Sequence, residues 1–227
     1  MPLKDKLPKP EKFPFTSKRN IKVQEPSDVA YNKDSKTLYI VSDNGNLYEC
    51  DTLGNILREA PSEGWDYEAV EVRDSSVYVS DESARKIIRH SKKDLSIKNV
   101  YHVRWHAGRN EGVESLTYNE TKKCFVMIAE KGPTTIIEVN ADFVSVYEQR
   151  FSYARDISSA RWYNGYMYLL SDEDHCIFQC DPITYKPIRI FNIDVLNPEG
   201  ICFDGNGNVI ISADDLQRLY YFNKIPS

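Results

Sequence analysis

The sequence has no excess of basic residues, no long apolar run and no nucleophile motif. Its formal net charge is -5, from 29 Lys+Arg against 34 Asp+Glu, which excludes the basic footprint of a nucleic-acid binder. No stretch approaches the roughly 18 consecutive apolar residues of a membrane span. The start MPLKDKLPKPEK lacks the apolar core of a secretory leader. Because an initiating Met can replace a removed leader, cytoplasm and export both stay open. A Gly-x-Ser-x-Gly elbow, a phosphate loop and HExxH are all absent, so nucleophilic catalysis has no support. The five cysteines are an odd set whose only cluster is His175, Cys176 and Cys180. Cys176 and Cys180 lie about 13 Å apart on an extended strand, too far to bridge or to share a tetrahedral ion. They read as structural free thiols.

What is present is a core and a period. With 41% hydrophobic and 12% aromatic residues in 227, the chain can bury one large domain. Five segments share a register: EPSDVAY, DYEAVEV, GVESLTY, DISSARW and NPEGICF. Their third residues, Ser27, Glu68, Glu114, Ser158 and Glu199, are 41, 46, 44 and 41 positions apart. Each segment is followed by a turn, an apolar run ending in an acid, and a third short run. Short Val-, Ile- and Tyr-rich strands at this period predict an all-β, five-bladed β-propeller with four-stranded antiparallel blades. Runs such as LYIV and FVMI do not alternate, as expected where blades cover both faces of a strand. The last repeat is one strand short, and KFPFTSKRN near the N-terminus supplies it. The prediction is a Lys/Pro-rich flexible lead over residues 1–11 and one propeller over 12–227, with an N-terminal strand in the last blade closing the ring.

In that architecture the start of each inner strand and the end of the second strand share one face. Glu68, Glu114 and Glu199 then meet at the channel mouth, with Asp43, Asp81, Glu130, Asp172 and Asp214 around them. Converging glutamates repel by about 3 kcal/mol per pair at ~6 Å and an effective dielectric near 20, so a cation, a shared proton or an arginine must relieve them. Calcium suits such an oxygen set. The alternative is neutralisation by Arg85, Arg109, Lys131, Arg155 or Arg161, or by solvent.

EPSDVAYN with SDNGNLYECDTLGNIL, YEAV with SDESARKI, EGVESLTYN with AEKGPTTIIEV, DISSARW with LLSDEDHCIFQCD, and NPEGICFDGNGNVIIS with LYYFN together span about residues 24–223. In this order they resemble the SdiA-regulated family of bacterial propellers, which is distantly similar to NHL-repeat propellers. The resemblance implies a calcium site on the channel and an origin in the cell envelope, periplasmic or lipid-anchored. It places metal-ligand roles on Glu68, Glu114, Glu199 and Glu130. The glycine expected after the blade-opening residue survives only as Gly200, and Asp28 at that position in the first repeat departs furthest from it.

The function expected is a calcium-stabilised binding or scaffold protein, monomeric, with a small ligand or protein at its acidic channel face and no nucleic acid. A membrane tether through the N-terminus accompanies the envelope reading. The alternative is a metal-dependent ester or lactone hydrolase, with His106 or a ring carboxylate as base, and a third is a protein-interaction propeller that uses the opposite face. His102 and His106 flank Trp105 in the longest connection between repeats. Trp65, directly before Asp66, is a candidate ligand contact. Most other aromatic residues at repeat positions read as packing between blades.

Overall fold

A computed structural model describes residues 7–103, 112–129, 133–214 and 216–226. Among these residues 21 strands form five sheets, with no helix. Blade one comprises Pro26–Asn32, Thr37–Ser42, Asn46–Cys50 and Ile56–Glu59, counted outward from the axis. Blade two comprises Tyr67–Arg73, Ser76–Asp81, Lys86–Ser91 and Ile97–His102. Blade three runs Ser115–Asn119, Cys124–Ala129, Thr135–Val139 and Ser145–Arg150. Blade four runs Ser159–Tyr163, Tyr166–Ser171, Cys176–Cys180 and Pro187–Asn192. Blade five takes Pro198–Phe203, Asn208–Ala213 and Arg218–Lys224 from the C-terminal repeat and its outer strand, Ser17–Asn20, from the N-terminal region. The five-bladed propeller and its N-terminal closure therefore stand as the repeat predicted. Glu11–Lys12 adds a short parallel strand to the edge of blade four, opposite Phe191 and Asn192. Among the described residues no helix is long and apolar enough to cross a membrane.

The core is divided into five wedges, one between each pair of neighbouring blades. In the second strand of blade one, Leu38 and Ile40 point into the wedge shared with blade five, while Tyr39 and Val41 point into the wedge shared with blade two. All four are fully buried. That two-sided burial is why the strand reads as a continuous apolar run. The five cysteines are unbridged, and burial pushes the Cys50 and Cys176 thiols up to about 12, consistent with inert packing groups.

The axis itself is filled by Arg161, on the inner strand of blade four. Its Nε donates to the Ile201 carbonyl at 3.0 Å, Nη1 to Val70 O at 3.0 Å and Glu71 Oε2 at 2.9 Å, and Nη2 to Val29 O at 2.9 Å and Asp28 Oδ2 at 3.1 Å. Asp28 also accepts from the Val70 N–H and from Ser159 Oγ, each at 2.9 Å. Burial pushes the Asp28 carboxyl up to about 6 against the pull of Arg161 and these donors. The same burial opposes the Arg161 charge, but Asp28 and Glu71 outweigh it and hold the guanidinium above its ordinary value. The neighbouring Trp162 N–H reaches Thr117 Oγ1 on blade three at 3.0 Å, so bonds from these two residues touch every other blade.

Gly200 sits where the first and last blades come closest. A Cβ there would lie 2.6 Å from the Val29 nitrogen and 2.7 Å from the Asp28 Cα, backbone atoms that cannot yield. Asp28, the odd residue of its repeat position, is thus the counterion of the axial arginine.

Removing the guanidinium while leaving Asp28 buried strands an uncompensated charge. Arg161→Met is expected to lower unfolding free energy by about 3–5 kcal/mol, measured by urea denaturation at neutral pH. A double variant that also carries Asp28→Ala should recover part of that loss.

Candidate functional site

At one end of the channel, local backbone irregularity aims the acids. The inner strands of blades one, two and five carry register shifts at Pro26/Asp28, Tyr67/Ala69 and Pro198/Gly200. These bulges leave Ser27, Glu68 and Glu199 outside the regular ladder, an arrangement that re-aims a side chain. Glu114 and Ser158 immediately precede their strands, with N–H groups bonded to Ile128 O at 3.1 Å and Leu170 O at 3.0 Å. The two serines cross to the next blade: Ser27 Oγ donates to Tyr67 O, and Ser158 Oγ to Pro198 O at 2.7 Å. The three glutamates are half-buried.

The position after each second strand forms a further tier. Asp43, Glu82 and Asp214 bond through their N–H groups to the carbonyls of Glu25, Asp66 and Asn197 at 3.1, 2.8 and 3.3 Å. The residue of blade two in this tier is Glu82, not Asp81. Asp81 ends its strand, is 2% exposed, and accepts from the Ala84 N–H at 3.1 Å and the Trp65 N–H at 3.2 Å. With two adjacent acids, sequence spacing alone is off by one residue, and one residue reverses the direction of the side chain. Glu130 lies outside the described residues, as do Trp105, His106, Arg109 and Lys131.

Asp66, Glu68 and Glu82 each bring a carboxylate oxygen within 4.8 Å of the others. Glu68 is pushed up to about 11, first by burial and then by Glu114, Asp43, Asp66 and Glu82. Asp43 is raised to about 6 by burial and by Asp214, against a hydrogen bond from Ser27. Glu82 Oε1 is anchored by the Gly112 N–H at 2.9 Å, and Ser83 Oγ donates to Asp66. The structure thus brings Glu114 into the electrostatic neighbourhood of Glu68. Among the described residues, the group tight enough to share one ion consists of Asp66, Glu68 and Glu82. Neither Asp66 nor Glu82 was singled out as a ligand by the repeat, although both stand beside a repeat position, in DYE and SDE.

The donor set suits a hard cation. All three ligand atoms are carboxylate oxygens, and a spread of 4.8 Å is what one ion with bonds near 2.4 Å can span. At that separation each ionised pair repels by about 3.5 kcal/mol at an effective dielectric near 20, and every leading influence on Glu68 disfavours its charge. Two of the cations named as alternatives are engaged elsewhere: Arg161 at the axis, and Arg155 with Asp174 at 2.7 Å. Trp65 stands beside the cluster, 81% exposed. His102 is exposed on the outer strand of blade two, His90 Nδ1 lies 2.8 Å from Leu95 O, and His175 Nδ1 lies 3.1 Å from Val195 O.

A family model described as SdiA-regulated matches residues 16–223. Among solved structures, the glutaminyl cyclase of Myxococcus xanthus is similar at 13% identity and TM-score 0.71, over 95% of this chain and all of that one. The Cps50 (Swd1) β-propeller domain of Myceliophteria thermophila is similar at 8% identity and TM-score 0.57, over 92% of this chain and all of that one. At these identities the likeness is one of fold. No curated protein matches the chain.

Because the folded Glu68 carboxyl binds its proton more tightly than an unfolded glutamate, the stability it contributes is present at low pH and lost as pH rises toward about 11. In chelator, unfolding free energy should therefore rise as pH falls from about 9 to about 6. Glu68→Gln should flatten that slope, as read from urea titrations.

Proposed function

The chain belongs to the SdiA-regulated family, and we propose that it is a calcium-binding propeller whose acidic channel mouth is a binding or scaffold surface. The observation that carries this reading is the pile-up of charge at Glu68. Three carboxylates within 4.8 Å, one of them Glu68 with its proton affinity raised by burial and then by its acidic neighbours, form a site that a divalent ion would relieve. Asp66, Glu68 and Glu82 are the ligands proposed, with Glu114 next to them and Glu199 and Glu130 as the remaining candidates of the ring. Six to eight oxygens are the usual calcium complement, so water or a ligand's own oxygens complete the shell. Trp65, exposed at the rim, is the contact proposed for that ligand. The envelope setting, and a tether through the N-terminal segment, rest on the family resemblance alone.

Calcium at a hundredfold excess over its Kd should stabilise the protein by about 2.7 kcal/mol, or about 5–11 °C in melting temperature for a domain of this size. Glu68→Gln and Glu82→Gln should abolish the shift while leaving the chelated protein folded. Absence of a calcium shift in the unaltered chain would rule the site out. Turnover of aryl esters or lactones that disappears with Glu68→Gln would replace the binding reading with the hydrolase one.

A further inference from the structure

The opposite end of the channel holds a second, chemically different site. There the inner strands finish around a cup of about 620 Å³ to which all five blades contribute, a size suited to a small-molecule ligand. Its floor is the Arg161–Glu71 pair, and its walls carry Tyr31, Tyr118, Trp162, Tyr163 and Phe203. Elsewhere in the blades Tyr39, Tyr67 and Tyr185 are fully enclosed. Tyr31, Tyr118, Trp162 and Tyr163 are only half-buried. Tyr163 lies flat on Phe203, with centroids 4.1 Å apart and planes 3° from parallel.

Three of the four cations in the lining are held in opposite-charge pairs, and the fourth, Lys33, is exposed at the rim. Arg73 packs its guanidinium 3.3 Å from the centre of the Tyr118 ring and bonds Glu120 at 2.5 Å, with Asp74 at 3.6 Å. Lys92 bonds Asp34 at 2.6 Å. The five carboxylates of the lining, Asp34, Glu71, Asp74, Glu120 and Asp204, outnumber its four cations, so a phosphorylated or otherwise anionic ligand would meet a net negative surface. A wholly apolar ligand would strip water from those ion pairs without replacing its hydrogen bonds, a costly exchange. A neutral sugar meets both demands. Its C–H faces lie against aromatic rings, while neighbouring hydroxyls donate to a carboxylate and accept from the adjacent guanidinium or ammonium.

We propose that this cup binds a neutral oligosaccharide of two or three rings, held by Tyr118, Tyr163 and Trp162 and oriented by the Arg73–Glu120–Asp74 group. The site is separated from the carboxylate cluster by the Arg161 plug, so its occupancy does not depend on calcium. The experiment is calorimetric titration of the full chain with maltotriose, cellotriose, chitotriose, xylotriose and mannotriose, with ATP as the anionic comparison. Saturable binding of at least one trisaccharide is expected, unchanged in chelator and in Glu68→Gln, and weakened tenfold or more by Tyr118→Ala or Tyr163→Ala. Asp74→Asn removes an acceptor at an exposed residue with φ of 51°, a conformation asparagine adopts readily, so it tests the polar group without disturbing the fold. It should weaken binding severalfold. No binding by any of the five sugars, binding unaffected by all three variants, or binding of ATP in their place would overturn the proposal.

Discussion

A charged side chain on the axis of a small propeller is tolerated only if its surroundings match it, and Arg161 is matched at every nitrogen. Two carboxylates and three backbone carbonyls take its hydrogen bonds, and these acceptors belong to blades one, two and five. Isolated, such a charge would cost several kcal/mol. Shared among four blades, it sets how close they stand. Gly200 follows from that closeness, because the last inner strand passes so near Asp28 and Val29 that no Cβ fits. The acid at position 28 follows from it too: a glycine or alanine there would leave the arginine with a single carboxylate.

The plug also makes the channel two cavities rather than one pore. All inner strands run in the same sense from the acidic mouth to the aromatic cup, so residues at strand starts and strand ends never share a site. At the starts, bulges and pre-strand residues turn Glu68, Glu114 and Glu199 out of the ladder. At the ends, the strands deliver Tyr31, Tyr118, Tyr163 and Phe203. The two mouths differ in electrostatic logic as well. Like charges accumulate at one, which raises Glu68 and Asp43 and calls for a counterion. Most charges pair at the other, which leaves it polar with one acid in excess.

The carboxylate mouth does not carry the hydrophobic core. That core lies in the five wedges between blades, closed by pairing of Ser17–Asn20 with Arg218–Lys224. Changes to carboxylates at the rim therefore report on ions and protons, whereas changes at Arg161 report on the assembly of the ring.

The sequence by itself determined the period, the number of blades, the closing strand and the equivalence of Glu68, Glu114 and Glu199. Each of these depends on order along the chain: turn spacing, apolar runs buried on both faces, and one strand missing at the end. Only the tertiary structure decided that Asp28 answers Arg161, that Glu82 rather than Asp81 faces the mouth, and that Asp66 and Glu82 join Glu68. The physical reason is that repeat spacing locates a residue along its blade to within a position. Ring closure decides what stands across from it, and a single bulge residue decides which way it points.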